Sequence, residues 1–381
     1  MTALYLGLMP LLRAYSGSRD FVVYWATGQQ LVHHANPYDP AAMGHIEHAA
    51  GYTGKGSYYM RNPPWSLPLA FPLGFVGTRL AALPWSLLML GLLGISVRAL
   101  WMTFGRPAIG VELLGYVFPP ALICVVEGQT SLFLLLGLAL FLRNHRTRPF
   151  LAGAALWFCT LKPHLFLPFA VVLLVWIAVS RSYRILLGAA ASMTASCLLT
   201  EWIDPSAWAQ YIAWGRTSGI SREFIPCLSV ALRELLDPAA KWLVFVPAAL
   251  ACAWALIYFW RRRHGWDWIE HGNLLMLVSI VAAPYCWLYD QSLALPALMC
   301  TAGRVRSRRL LAVLASAYLL LELQPFFSSS LASALYLWPA PAWLVWYLAA
   351  RKSAADVNVS QPESKFHSVA PLYRLEEPVI R

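Results

Sequence analysis

The sequence predicts an all-α polytopic membrane protein with about twelve crossings, on three observations. Of its 381 residues, 59% are hydrophobic and only 12% are charged, whereas an average soluble domain carries about 25% charged residues. Mean hydropathy is +0.56. Apolar runs follow one another along nearly the whole chain, and every second break between them is rich in arginine. A soluble globular enzyme and a disordered chain are both excluded. The net charge of +11 implies no nucleic-acid partner, because excess base in a multi-span protein collects in cytoplasmic loops.

Taken in order, the apolar runs lie near 1–14, 80–100, 109–126, 129–143, 149–161, 163–180, 184–203, 241–260, 272–288, 291–303, 309–326 and 331–350. A full crossing needs about 20 helical residues, and runs 129–143, 149–161 and 291–303 fall short of that. Helices that stop inside a bilayer need protein or a water-filled cavity at their ends, so these runs predict a cavity on one face. The first run lacks a basic leader and a small-residue cleavage site, and so reads as a shortened first helix rather than a secretory signal. The segment 63–77, rich in Pro, Trp and Phe, reads either as an interfacial helix or as the top of a long kinked span. Residues 1–350 are expected to form one transmembrane domain with outer loops at about 15–62 and 204–240, and 351–381 a disordered cytoplasmic tail.

The arginines orient the chain. The breaks holding Arg98 and Arg106, Arg143 to Arg148, Arg181 and Arg184, Arg261 to Arg263, Arg304 to Arg309, and Arg351 with Lys352 would be cytoplasmic, which puts both termini inside. The outer segments then carry ten bases and eleven acids, and the inner ones nineteen bases and seven acids. No carboxylate falls at a clear mid-membrane position, where ion-coupled carriers usually hold one. The acids gather instead at the outer ends of helices, which points to an active site at the interface.

The seven cysteines form no metal-binding spacing, and only Cys227 and Cys286 stand where they could share an oxidising compartment. No DxD pair is present, so neither a metal nor a cofactor is expected. In the first outer loop, Asp20 precedes the amphipathic aromatic stretch Phe21, Tyr24 and Trp25. Asp20 could accept a proton from a substrate hydroxyl or cap a helix beginning at Phe21. Asn36-Pro37-Tyr38-Asp39 reads most simply as a turn ahead of a short helix. Gln129, after Glu127-Gly128, could bond a sugar hydroxyl or cap the next span. Lys162, in Leu161-Lys162-Pro163-His164, either snorkels or, with His164, holds a phosphate at the interface. Asp290, in the turn Tyr285 to Gln291, either caps the following span or lines the site.

These residues resemble the bacterial membrane glycosyltransferases of family 87, also called the DUF2029 family. The likeness rests on Asp20-Phe21 with Tyr24, Asn36-Pro37-Tyr38-Asp39, Asn62-Pro63-Pro64-Trp65, Gly128-Gln129, Leu161-Lys162-Pro163, and Pro284-Tyr285 with Tyr289-Asp290. The resemblance implies a GT-C-like bundle with extracytoplasmic loop helices. It implies a polyprenyl-phosphate sugar donor, typically mannosyl, and a glycolipid or glycan acceptor on the outer face of the bacterial cytoplasmic membrane. Asp20 would be the base of an inverting transfer, with Lys162, His164 and Arg61 on the donor phosphate. Tyr24, Asn36, Tyr38, Gln129 and Asp290 would contact substrate. A flippase for lipid-linked sugars explains the groove and the bases but gives Asp20 no chemical task. A surface-polysaccharide polymerase or ligase would share the fold and the donor.

Overall fold

The structure, a computed structural model, describes residues 20–52, 59–217, 224–328 and 330–359. Every regular element among them is helical. Six helices are long and apolar enough to cross a membrane: Thr78–Thr103, Ile109–Glu127, Pro163–Ser180, Tyr183–Ile203, Lys241–Gly265 and Arg308–Phe326. Ser131–Asn144, Pro149–Cys159 and Trp268–Ala282 are apolar but shorter. The expected count of about twelve is thus not reached by length and composition among the described residues, and the first expected run, 1–14, lies outside them.

Proline accounts for most of the shortfall. The helix that starts at Trp268 stops at Ala282, just before Pro284, and the run expected at 291–303 is a 3-10 helix, Leu288–Ala294, followed by Leu295–Ala302 with Pro296 in its first turn. The last helix begins at Pro339 rather than 331 and continues to Val359. The boundary expected at 351 therefore falls within a helix, where alanines favour its continuation; residues 360–381 of the expected tail lie outside the described residues. Segment 63–77 is helical without interruption from Pro64 to Phe75 and is separate from the span that follows it. It forms three short turns of helix, Pro64–Ser66, Leu67–Ala70 and Phe71–Phe75, broken from Thr78–Thr103 at Val76 and Gly77. Both long loops hold helices, Phe21–Val32 and Pro40–Ala49 in the first, Ala207–Thr217 and Leu228–Leu236 in the second.

The long helices are apolar on their exposed faces as well as their buried ones. Thr78–Thr103 exposes Leu80, Leu83, Leu87 and Ile95, and Tyr183–Ile203 exposes Leu186, Leu187, Leu198 and Trp202. In water such faces would drive aggregation; against lipid tails they are matched to their solvent. Lipid also removes the hydrophobic drive between helices, so close association must come from small residues that let backbones meet. That is what the fold uses. A Cβ on Gly153 would sit 1.9 Å from the Ile185 carbonyl oxygen, and one on Gly188 would sit 2.0 Å from that of Phe150. Pro149–Cys159 and Tyr183–Ile203 therefore touch backbone to backbone. Gly137 brings Ser131–Asn144 against Ala155 in the same way, and Gly28 and Gly74 seat Phe21–Val32 on the turns after Pro64.

Three ion pairs tie the ends of the helices that carry arginine: Arg98 to Glu112 at 3.1 Å, Arg146 to Asp267 at 3.3 Å and Arg351 to Glu270 at 3.2 Å. All three acids assigned to inner loops thus meet arginines assigned to the same side. Partly exposed pairs contribute little stability, but Arg146 with Asp267 and Arg351 with Glu270 bring three different breaks together. All seven cysteines are free thiols, including Cys227 and Cys286.

A Gly153→Leu substitution should lower stability by at least ~2 kcal/mol through overpacking and reduce the yield of folded protein on detergent size exclusion. Gly91→Leu, where a Cβ meets open space, should melt within a few degrees of the parent.

Candidate active site

Three local devices bring the predicted residues together at the end of the bundle opposite the arginine pairs. The first is a glycine stop. Pro119–Glu127 ends at Gly128 in the left-handed region, φ +73°, which glycine adopts without a Cβ penalty. A Cβ there would also lie 2.8 Å from that of Phe21. With the Gly128 carbonyl accepting from Trp85 Nε1 at 2.8 Å, the turn of residues 128–130 is pressed onto the start of the Asp20 helix.

The second device is Lys162-Pro163. Proline bars the preceding residue from the α region, and Lys162 takes φ −138°, ψ 72°, so the chain turns out of Pro149–Cys159 there. The carbonyls freed at that end are satisfied from the 62–65 segment. Trp65 Nε1 donates to Thr160 O at 3.2 Å and Asn62 Nδ2 to Leu161 O at 3.0 Å, while Tyr38 donates to Asn62 O at 3.1 Å. The third device is the cap of Leu288–Ala294. Asp290 Oδ2 accepts from the Trp287 N–H at 3.0 Å, leaving Oδ1 free to face the site.

The result is one connected network. Lys162 Nζ donates to Asp290 Oδ1 at 2.7 Å, Ser131 Oγ at 3.1 Å and Gln129 Oε1 at 3.2 Å, engaging all three of its protons. Ser131 itself donates to Asp290 Oδ1 at 2.5 Å. Gln129 Oε1 also accepts from Tyr24 at 3.0 Å, and its Nε2 donates to Asp20 Oδ2 at 2.5 Å. The Tyr289 ring lies 4.8 Å beneath the Lys162 ammonium. Asp290 is 1% exposed and Lys162 12%, so this ion pair is interior and held by added hydrogen bonds, as such pairs require.

Each sequence expectation can now be located. Phe21 does begin a helix, but the Asp20 side chain makes no capping bond to it; its carboxylate turns to Gln129 instead. Withdrawal from water raises the Asp20 carboxyl above its ordinary 3.8, the Asp290 charge adds to this, and Gln129, Lys162 and Arg61 oppose it. Gln129 caps nothing; Thr130 precedes Ser131–Asn144. Lys162 is drawn inward rather than snorkelling. Asp290 caps Leu288–Ala294 with one oxygen and pairs with Lys162 through the other.

His164 stacks on Tyr285 with ring centroids 3.7 Å apart, and its Nε2 is buried without a hydrogen-bond partner. Arg61 lies over the Tyr59 ring at 4.9 Å and within electrostatic reach of Asp20 and Tyr285. Asn36, Tyr38 and Asp39 stand apart from the network. Asn36 Oδ1 accepts from the Tyr38 N–H at 2.9 Å, forming the turn, and Asp39 caps Pro40–Ala49. Tyr38 packs against Tyr211 and Trp214 and meets the site only through Asn62. Sequence reasoning missed Ser131 and Thr130, whose hydroxyl lies 3.3 Å from that of Tyr24, and named Tyr289 only as part of a motif, without its place beneath Lys162. Ser131 lies two residues past Gln129 on the same turn, and that spacing was the available signal. Among the described residues no three His, Cys, Asp or Glu side chains are placed to hold a metal ion.

The fold and this polar site at the helix ends define an integral membrane protein with a prearranged charged centre. A sequence model of glycosyltransferase family 87 matches residues 59–284, more than half of the chain, and the protein belongs to that family of membrane glycosyltransferases. The matched stretch includes Arg61, Gln129, Lys162 and His164, while Asp20, Tyr24, Asn36, Tyr38 and Asp290 lie outside it. Neither the curated proteins nor the solved structures give a match.

Lys162→Met should destabilise the protein by about 3 kcal/mol, because it leaves the Asp290 charge buried and unpaired. The double variant Lys162→Met/Asp290→Leu should recover part of that loss in a detergent melting curve.

Proposed function

We propose that the protein transfers a hexosyl group, foremost mannosyl, from a polyprenyl-phosphate donor to an extracytoplasmic glycolipid or glycan acceptor, with inversion and with Asp20 as general base. One observation carries this reading. Asp20 stands at a helix start without capping it, one carboxamide away from a buried lysine. A base and a cation held that close suit a displacement in which a proton leaves on one side and an anion departs on the other.

In that displacement the acceptor oxygen bonds to the anomeric carbon as its proton passes to the Asp20 carboxylate. The bond from that carbon to the phosphate oxygen breaks, and polyprenyl phosphate leaves with the electron pair. Lys162 and Arg61 would stabilise its charge, and the buried, unpartnered His164 Nε2 would supply a further contact to it. Fixed charges of this kind contribute most where charge develops. Since all three Lys162 protons are engaged, a phosphate oxygen must displace one acceptor, and neutral Gln129, the longest of the three at 3.2 Å, is the one to yield. Tyr24, Gln129 and Asp290 fix the site directly, whereas Asn36 and Tyr38 support it through the turn and Asn62.

The arginine-bearing end would face the cytoplasm and the site the outside of the bacterial cytoplasmic membrane. Nucleotide sugars are not available there, so the donor must be borne by the membrane. It is a substrate, and the reaction as written needs no cofactor. A GT-C-like bundle of about twelve crossings would follow if the three shorter apolar helices, Pro339–Val359, the pair Leu288–Ala294 and Leu295–Ala302 together, and the apolar run at 1–14 also traverse the bilayer.

Purified protein given radiolabelled polyprenyl phosphate mannose and an envelope acceptor fraction should move label to the acceptor; label crossing a vesicle membrane unreacted would mark a flippase instead. Asp20→Asn should lower transfer by about 10²–10⁴-fold while the protein stays folded, and full activity in that variant would remove Asp20 from the mechanism. Because the Asp20 carboxyl is raised above 3.8, transfer should fall away as pH drops at a higher pH than an ordinary aspartate would give.

A further inference from the structure

Gln129 occupies a position that neither the lysine nor the aspartate explains alone. Its carboxamide has two ends, and each engages a different member of the site. Nε2 donates to Asp20 at 2.5 Å, and Oε1 accepts from Lys162 at 3.2 Å and from Tyr24 at 3.0 Å. An amide cannot rotate one end without moving the other. The neighbouring backbone is fixed by Gly128, whose conformation and contact with Phe21 tolerate no side chain, and the Gln129 carbonyl accepts from Cys124 Sγ at 3.1 Å. The part of Gln129 left free to move is its side chain.

Resting on the transferase reading, we infer that Gln129 is a positioning residue that links the two halves of the reaction: it holds the Asp20 carboxylate and the Lys162 ammonium together, and a donor phosphate arriving on Lys162 releases it and frees the Asp20 oxygen it held. One oxygen of Asp20 is held by the Gln129 N–H, a contact that is given up before that oxygen takes the acceptor's proton. The donor's phosphate supplies the anionic acceptor that Lys162 prefers over a neutral amide oxygen. The other groups facing Asp20 are the cations Lys162 and Arg61 and the anion Asp290, with Tyr24 and Tyr289 nearby. Gln129 hydrogen-bonds both Asp20 and Lys162.

Two substitutions separate this role from a merely structural one. Gln129→Glu keeps the shape but puts a negative charge against both Asp20 and an incoming phosphate. Gln129→Leu removes all three side-chain hydrogen bonds and frees a Lys162 donor. With full-length protein in lipid nanodiscs, polyprenyl phosphate should bind about tenfold more weakly to Gln129→Glu, and as tightly as the parent or tighter to Gln129→Leu. In both variants the acid limb of the mannose-transfer pH profile should move up by about one pH unit or more, since Asp20 loses a donor in each and gains a like charge in the first.

Equal affinity for polyprenyl phosphate in parent and both variants would overturn the inference. So would an acid limb that stays in place while both variants merely lose stability. Parent protein that binds polyprenyl phosphate but transfers no mannose would defeat the proposed function instead, and the affinity comparison would still decide the role of Gln129.

Discussion

The ion pair between Lys162 and Asp290 is the interaction on which the site depends. Two charges withdrawn from water at the end of a helical bundle are costly unless their geometry is good and their remaining valences are filled. Here both conditions hold. Lys162 has three acceptors, while Asp290 takes Lys162 and Ser131 on one oxygen and a backbone N–H on the other. The pair also joins segments remote in sequence, because Lys162 follows Pro149–Cys159 and Asp290 lies in Leu288–Ala294. The 128–131 turn, packed on Phe21, closes the circle. Removing either charge would therefore loosen three helix ends at once.

The rest of the bundle serves to hold those ends in register. Its tightest helix crossings are built on glycine, at Gly153 with Gly188 and at Gly28 with Gly74, because in lipid close backbone contact replaces the hydrophobic drive available in water. Short helices stop where their carbonyls find partners. Asn62 and Trp65 receive the end of Pro149–Cys159, and Ser196 and Thr200 in turn donate to Trp65 O and Pro64 O. The Asn-Pro-Pro-Trp motif is thus an end-piece for one helix and a platform for the lysine turn. A phosphate clamp on Lys162 would inherit its rigidity from that platform.

Composition and the arginine-bearing breaks made the membrane class legible in the sequence, and the arginine pairs with Glu112, Asp267 and Glu270 agree with the assignment of one end. Asp20, Gln129, Lys162 and Asp290 were legible as polar residues at helix ends, but their mutual contacts, across 109 and 128 positions of sequence, were not. Local signals cannot tell whether a carboxylate caps its own helix or crosses to another. Asp20 and Asp290 both cross to other elements, and Asp290 caps its own helix as well. The helix count was least legible, because apolar runs such as 291–303 contain prolines that divide them without altering their hydropathy. Ser131 was invisible for a simpler reason, since serine is not unusual at a helix end.

The most direct measurement is a cryo-EM structure of the protein with a polyprenyl phosphate sugar bound. The phosphate should lie within hydrogen-bonding distance of Lys162 Nζ, with the Gln129 side chain turned away and the anomeric carbon facing Asp20. A phosphate lodged instead among Arg261, Arg262 and Arg263, at the opposite end of the bundle, would contradict both the proposed chemistry and the side of the membrane on which it takes place.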